Sequence, residues 1–404
     1  MRELRTPEPL RRAVVARIEA ARPLVEEIAV ALYRNPELGL EERFASEKLR
    51  TLVAAEGFAV EAGVAGLPTA FRAVWGNGGP AIAFLAEYDA LPGIGHGCGH
   101  NLMAACSTAA ALACRHVVPA DLPVRWLLLG TPAEETVGGK LAMVEAGLFA
   151  EVEAAFIAHP ERQNGLGGSS WASHPLELTF HGRSAHAGAN PQDGINALDA
   201  LVTAYQAIRS LKHSLRDDVR LAGIITHGGV AQNVIPDLTR ARFTLRARDW
   251  RYLEEVVLPR VRAAAEGAAH AHGATVEMRH HEPLFRETLE HPLLQEVARR
   301  NFEYLGETVP PPVAGGGGVT DVGGVTWVTP CIQIRFAMSD ARGHSRELAD
   351  ATITPRGIDA TLMAAKVLAL SGLDLAYNPG LRQAARDHLR RVLDQSACRG
   401  EDRT

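Results

Sequence analysis

The spacing of apolar positions makes the chain alternate between helix and strand. Arg11 to Arg34 carries apolar residues at helical intervals until Asn35-Pro36 stops it, and Glu41 to Glu56 repeats the pattern up to Gly57. TAFRAVWG and AIAFLAEY are short apolar runs that predict strands; Leu102 to His116 predicts a helix, VRWLLLG a buried strand, Lys140 to Glu145 a helix and AAFIAH another strand. Such alternation predicts an α/β domain with helices flanking a mostly parallel sheet.

After Ser169 the character changes. LELTFHG, a helix from Asn196 to Leu211, LAGIITHGG, RARFTLRARD, a helix from Leu253 to Ala271 and ATVEMRHH form a self-contained α+β set the size of a small domain. Helix returns from Pro292 to Leu305, a Gly-rich stretch spans Gly315 to Gly324, and TWVTPCIQIRF with a helix from Pro355 to Ser371 resumes the first pattern. The smaller domain, residues 172–285, is therefore read as an insertion into a discontinuous one, residues 1–171 and 286–404.

Composition narrows the function classes. The 404 residues are 47% hydrophobic and 22% charged, ordinary for a globular chain with room for a large core. A formal charge of −5 with scattered basic residues leaves no footprint for nucleic acid, so a small-molecule partner is expected. The opening MRELRTPEPLRR has no apolar stretch behind its charges, unlike a secretory signal. Ala90 to Cys114 lacks Asp, Glu, Lys and Arg, yet Pro92, two histidines, Asn101 and four glycines exclude a membrane span. Five cysteines, an odd number, suit free thiols in a reducing cytoplasm.

Within that charge-free run lies GHGCGHN, residues 95 to 101, which offers little to a core and much to a ligand. Asp89 follows one strand, Cys98 and His100 lie in the loop after it, Glu134-Glu135 follows the next, and His159 ends a third. These are strand carboxyl ends, where open α/β sheets form their ligand crevice. Taken singly, Cys98 suits a small buried hydrophobe, each histidine a hydrogen-bonded loop residue, and the glutamates a helix cap. Taken together, a thiolate, imidazoles and carboxylates suit a divalent metal, with zinc or manganese first and cobalt or nickel as alternatives.

AEYDALPGIGHGCGHN, GTPAEETVGGK, AFIAHP, GRSAHAGANPQDGINALDA, GGVAQNVIPD and GHS, in this order, resemble the aminoacylase and carboxypeptidase family of di-metal amidohydrolases, peptidase family M20. The resemblance runs from about Leu32, through the NPELGLEE segment, to the helix ending near Ser371, nearly the whole chain. It is strongest to the branch holding p-aminobenzoyl-glutamate hydrolase and β-alanyl-lysine type dipeptidases. It implies an amidohydrolase acting on N-acyl amino acids or small dipeptides, with two metal ions per subunit and a ferredoxin-like lid that forms a homodimer. Cys98 would bridge the ions, His100 and His159 would hold one, and Glu135 and His344 the other. Glu134 would be the general base and Asp89 would orient a ligand. His186 would reach across the dimer to the oxyanion, with Asn233 and Arg246 on the substrate carboxylate and Arg248 a rival for Arg246. Relatives with a His-x-Asp motif ligate through its histidine; here that position is Glu87, which is left out of the ligand set. Asp321, beside Gly315 to Gly318, falls where the family has an acidic residue near the site.

Two other classes remain open on the residues alone. Cys98 with a distant histidine is the minimal signature of a cysteine hydrolase. A metal-binding protein without turnover would need the ligands but no base, and Glu134 beside Glu135 argues against it.

Overall fold

The computed structural model describes residues 6–119, 121–311 and 318–398. In chain order the elements are α1 (Glu8–Ala20), α2 (Arg22–Arg34), α3 (Arg43–Ala55), β1 (Ala59–Ala62), β2 (Phe71–Trp75), β3 (Ala81–Ala86), α4 (His100–Val117), β4 (Arg125–Gly130), α5 (Gly139–Glu145), β5 (Val152–Glu161) and β6 (Ala172–His181). Then come α6 (Ala197–Ser210), β7 (Arg220–His227), β8 (Leu238–Ala247), α7 (Trp250–Tyr252), α8 (Leu258–Ala271), β9 (Thr275–His280), α9 (Pro292–Tyr304), α10 (Val322–Thr326), β10 (Cys331–Ala337), α11 (Arg346–Ala351), α12 (Pro355–Tyr377) and α13 (Pro379–Cys398).

The chain divides into two compact units, with breaks at Gly168/Ser169 and Glu287/Thr288. The described residues leading up to Gly323 group with the second unit. The first unit holds a six-stranded sheet in the order β1-β2-β4-β3-β5-β10. β4, β3, β5 and β10 are parallel, while β1 and β2 add an antiparallel edge. The sheet is mixed and mostly parallel. α4 packs on this sheet and against helices α2 and α12, and α12 also packs on the sheet. It is buried almost throughout, which is why its sequence is rich in alanine and carries no charge before Arg115. α12 comes so near the sheet at Gly372 that a Cβ there would stand 2.9 Å from Phe84.

The second unit is an antiparallel sheet, β7-β8-β6-β9, whose core residues come from the sheet and from α6 and α8. On its polar side Glu177 accepts hydrogen bonds from Arg242 and Arg279, each at 2.8 Å.

Three expectations change in detail. The helix over Arg11 to Arg34 is two helices, because Ala21 closes α1 and Pro23 opens α2. The helix expected from Leu253 widens into a π-turn over Leu253–Val257 before α8, at whose start Pro259 lacks the N–H that a regular turn would use. The polar tail after Gly380, which gave no pattern to read, lies largely in the helix α13. Residues 315–317 of the glycine loop lie outside the described residues.

Candidate active site

Because β3, β4, β5 and β10 run parallel, the segments that leave their carboxyl ends meet on one side of the sheet. Glu87 and Asp89 follow β3, Glu134 and Glu135 follow β4, His159 lies near the end of β5, and His344 follows β10. Cys98 lies two residues before His100, which opens α4.

The glycine between them is required. Gly99 has φ +81, and a Cβ there would sit 2.5 Å from Pro160 Cγ, so only glycine lets this turn press against the end of β5 beside His159. Gly99→Ala is expected to lose at least about 1 to 2 kcal/mol from the left-handed backbone alone, before the clash with Pro160 is added. Thermal melting and metal content check this. Unchanged stability would mean that the turn can relax.

Each donor is oriented from behind. His100 Nδ1–H donates to Asp89 Oδ1 at 2.8 Å, which turns Nε2 toward the other donors; that atom is buried and has no hydrogen-bond partner. The other Asp89 oxygen accepts the backbone N–H of Glu135 at 2.9 Å, so one carboxylate fixes two of the donors. His159 Nδ1–H donates to the carbonyl of Pro160 at 2.8 Å, and its Nε2 faces Cys98 Sγ at 3.4 Å. His344, with a left-handed φ of 58° that histidine tolerates, donates its backbone N–H to Gly97 O at 2.8 Å and brings Nε2 to 3.5 Å from Glu135 Oε1. Glu135 Oε1 is also buried without a hydrogen-bond partner.

Three sets of donor atoms converge. Cys98, His100 and His159 lie within 4.8 Å of one another, as do Cys98, Glu135 and His344, and so do His100, Glu134 and Glu135. Cys98 belongs to two of these sets, and bare donors left unsatisfied in a buried site are what a divalent cation repairs. The donor set fits such ions chemically: one soft thiol, three imidazoles and carboxylates.

His159 titrates in keeping with that chemistry, while Cys98 and His100 hold protons that a cation would have to displace. Burial pushes the Cys98 thiol up to about 12, against the pull of His100, so a nearby cation is needed to make it a thiolate. Burial and the charge of His100 lower the pKa of His159, which favours the neutral form that ligates metal. For His100, burial works downward, but Asp89 and Cys98 outweigh it and hold the pKa well above the usual range.

Two supports went unrecognised in the sequence. Glu42 is buried, and its carboxylate accepts the backbone N–H of Ala133 and the Thr69 hydroxyl, both at 2.8 Å. It thereby clamps the turn before Glu134, where Ala133 takes a left-handed φ of 60°. Its only trace in the sequence was its place in NPELGLEE. The second is Lys140, wholly buried, with Nζ 2.6 Å from Glu87 Oε1.

His186, Asn233 and Arg246 belong to the second unit. The backbone N–H of Ala187 donates to Asn233 O at 3.0 Å, so His186 and Asn233 lie on adjoining segments. His186 Nδ1 accepts the N–H groups of Gly188 and Ala189 at 3.2 and 3.0 Å, which puts the ring proton on Nε2 of an exposed side chain. Arg246 is near the far end of β8, opposite Ser173 and Arg220. At about 3.3 Å per residue, the steps from Leu238 to Arg246 span roughly 26 Å, and Asn233 lies five residues before Leu238, beyond the start of the strand. Asp321 is buried and groups with this unit.

Residues 83–368 match the family profile of peptidase family M20/M25/M40. The chain belongs to that family. It is 34% identical to the Xaa-Arg dipeptidase of Mus musculus, covering 96% of this chain and 94% of that one. It is 33% identical to one of the component chains of the p-aminobenzoyl-glutamate hydrolase of Escherichia coli, over 65% of this chain and 58% of the relative. Among solved structures, a dinuclear metal binding peptidase of the M20 family from Bacillus subtilis superposes with a TM-score of 0.65 at 20% identity, covering 87% of this chain and 98% of the other. The M20 protein is thus a hydrolase of peptide or amide bonds. None of its described helices is long and apolar enough to cross a membrane.

Proposed function

We propose that the chain is a metal-dependent amidohydrolase that cleaves N-acyl amino acids or small dipeptides. The observation that carries this reading is the pair of donor sets sharing Cys98, with Glu134 adjoining them. In this reading Cys98 would serve two ions, with His100 and His159 holding one and Glu135 and His344 the other, and Asp89 would orient His100. Two bound divalent ions would polarise the scissile carbonyl and make a water acidic enough to attack near neutral pH. The Glu134 carboxylate takes the water's proton and passes it to the leaving amine nitrogen.

His186 supplies a donor from outside this unit. Its Nε2–H has the polarity to stabilise the oxyanion of the tetrahedral intermediate. We assign this role to the His186 of a second copy, with Asn233 of that copy and Arg246 of the first on the substrate carboxylate. The separation of Asn233 from Arg246 along β8 supports two chains per site. So does the edge strand β7, which with the following turn exposes Ile224 at 64% and Val230 at 85%, as a strand that pairs with another copy would. The described cysteines Cys98, Cys106, Cys114 and Cys331 are all free, in keeping with a cytoplasmic setting.

A cysteine hydrolase fits less well, since a thiol raised to about 12 is a poor nucleophile. Chelation followed by dialysis is expected to abolish hydrolysis of a panel of N-acyl amino acids and dipeptides, and added zinc or manganese to restore it. Full activity in the metal-free chain would overturn the reading. The panel itself names the acyl group and the amino acid.

A further inference from the structure

The stretch GGK in GTPAEETVGGK is not used by the chemistry above, yet its lysine is the one buried Lys or Arg among the described residues. Gly138 has φ +63, and a Cβ on Gly139 would stand 2.1 Å from the carbonyl oxygen of Pro132. These two glycines press the first turn of α5 onto the loop that carries Glu134 and Glu135, and Lys140 is turned inward as a result. Its ammonium meets Glu87 Oε1 at 2.6 Å. A buried lysine requires such a partner, and a compact ammonium on a flexible stem can hold one carboxylate oxygen while leaving the other free.

That other oxygen is the informative one. Glu87 Oε2 lies 3.3 Å from His100 Nε2; neither Glu87 oxygen has a hydrogen-bond partner, and Oε1 alone is held by the charge of Lys140. Yet Glu87 belongs to none of the three converging donor sets. A charged carboxylate therefore stands beside the metal site, tied back through its opposite oxygen.

We propose that Lys140 is a positioning residue that withholds Glu87 from the metal next to His100, keeping a coordination position open. Carboxylate oxygen is a good ligand for zinc or manganese, and a catalytic ion needs an open position for water or substrate. If Lys140 is removed, Glu87 is free to swing onto the ion, raise its coordination number and reduce its power to acidify water. The inference rests on the di-metal reading and concerns residues that the reading itself does not use.

Cobalt(II) reconstitution tests it, because the position and strength of the visible bands of bound cobalt follow the number and kind of its ligands. Lys140→Met is expected to shift the visible bands away from those of the wild type and to slow metal release to a chelator roughly tenfold, the scale on which groups around a metal shift its affinity. The double variant Lys140→Met/Glu87→Gln should return both readouts to wild type. Glu87→Gln alone should leave the bands and the metal content unchanged, since Glu87 is not a ligand while Lys140 holds it. This last variant decides the matter however well Lys140→Met folds: a changed spectrum or a lost ion would mean that Glu87 already ligates, and the proposal falls. It falls equally if Lys140→Met and the double variant behave alike. A wild-type chain that takes up no cobalt would overturn the functional reading first, and this inference with it.

Discussion

Glu134→Gln is expected to keep its metal and lose turnover by roughly 10²-fold or more, while Glu135→Gln loses metal itself. The two residues are consecutive, follow the same strand and differ by one carboxylate position, so the contrast isolates role from location. Glu135 Oε1 is buried, lacks a hydrogen-bond partner and lies 3.5 Å from His344 Nε2, and its backbone N–H is fixed by Asp89. In glutamine the amide oxygen is a weaker, uncharged ligand, and the second ion would keep only Cys98 and His344 as strong donors. Glu134 is placed by the turn that Glu42 clamps, and glutamine there preserves shape but cannot accept a proton. Excess zinc or manganese should partly rescue Glu135→Gln and leave Glu134→Gln unchanged. Metal analysis beside steady-state rates is the measurement. Equal metal loss in both variants, or full turnover in Glu134→Gln, would reverse or remove the assignment of the base.

What could be read in the chain beforehand follows from the kind of interaction involved. Apolar runs such as VRWLLLG are strand-like whatever surrounds them, and in a parallel sheet their carboxyl ends must gather on one side, so Asp89, Cys98, His100, Glu134, Glu135 and His159 are drawn together from local pattern alone. His344 had no such cue besides GHS, because its position depends on a left-handed turn bonded back to Gly97. Glu42 and Lys140 were invisible for a related reason. A charge on an amphipathic helix or after a glycine pair looks solvated until tertiary packing buries it against a partner, here the Ala133 amide or Glu87. The antiparallel edge is another such case, since β1 pairs with β2 through a turn that the apolar pattern does not mark. The separation of Asn233 from Arg246 is also a property of the sheet: Asn233 precedes β8 and Arg246 lies near its far end, with the extended strand between them.

Mixing His186→Ala protein with Glu134→Gln protein, each nearly inactive alone, is expected to restore about a quarter of wild-type activity once subunits have exchanged. The arithmetic follows from a two-fold dimer in which each site takes its base from one chain and its histidine from the other. About half of the dimers formed by random exchange are mixed, and in each of these one site of two has both Glu134 and a partner's His186 intact. The geometry behind the expectation is local to each unit. The donor sets around Cys98 are complete within the first unit, and His186 Nδ1 is occupied by two backbone amides, so Nε2–H remains as the outward donor. Loss of one oxyanion donor costs roughly 10²-fold to 10³-fold in turnover, which leaves the single variants quiet enough for a quarter of wild-type activity to stand out. Exchange is verified separately with one chain tagged. Tagged mixed dimers without recovered activity would mean that His186 serves the site of its own chain, and then the lid of a single subunit would have to supply the oxyanion donor.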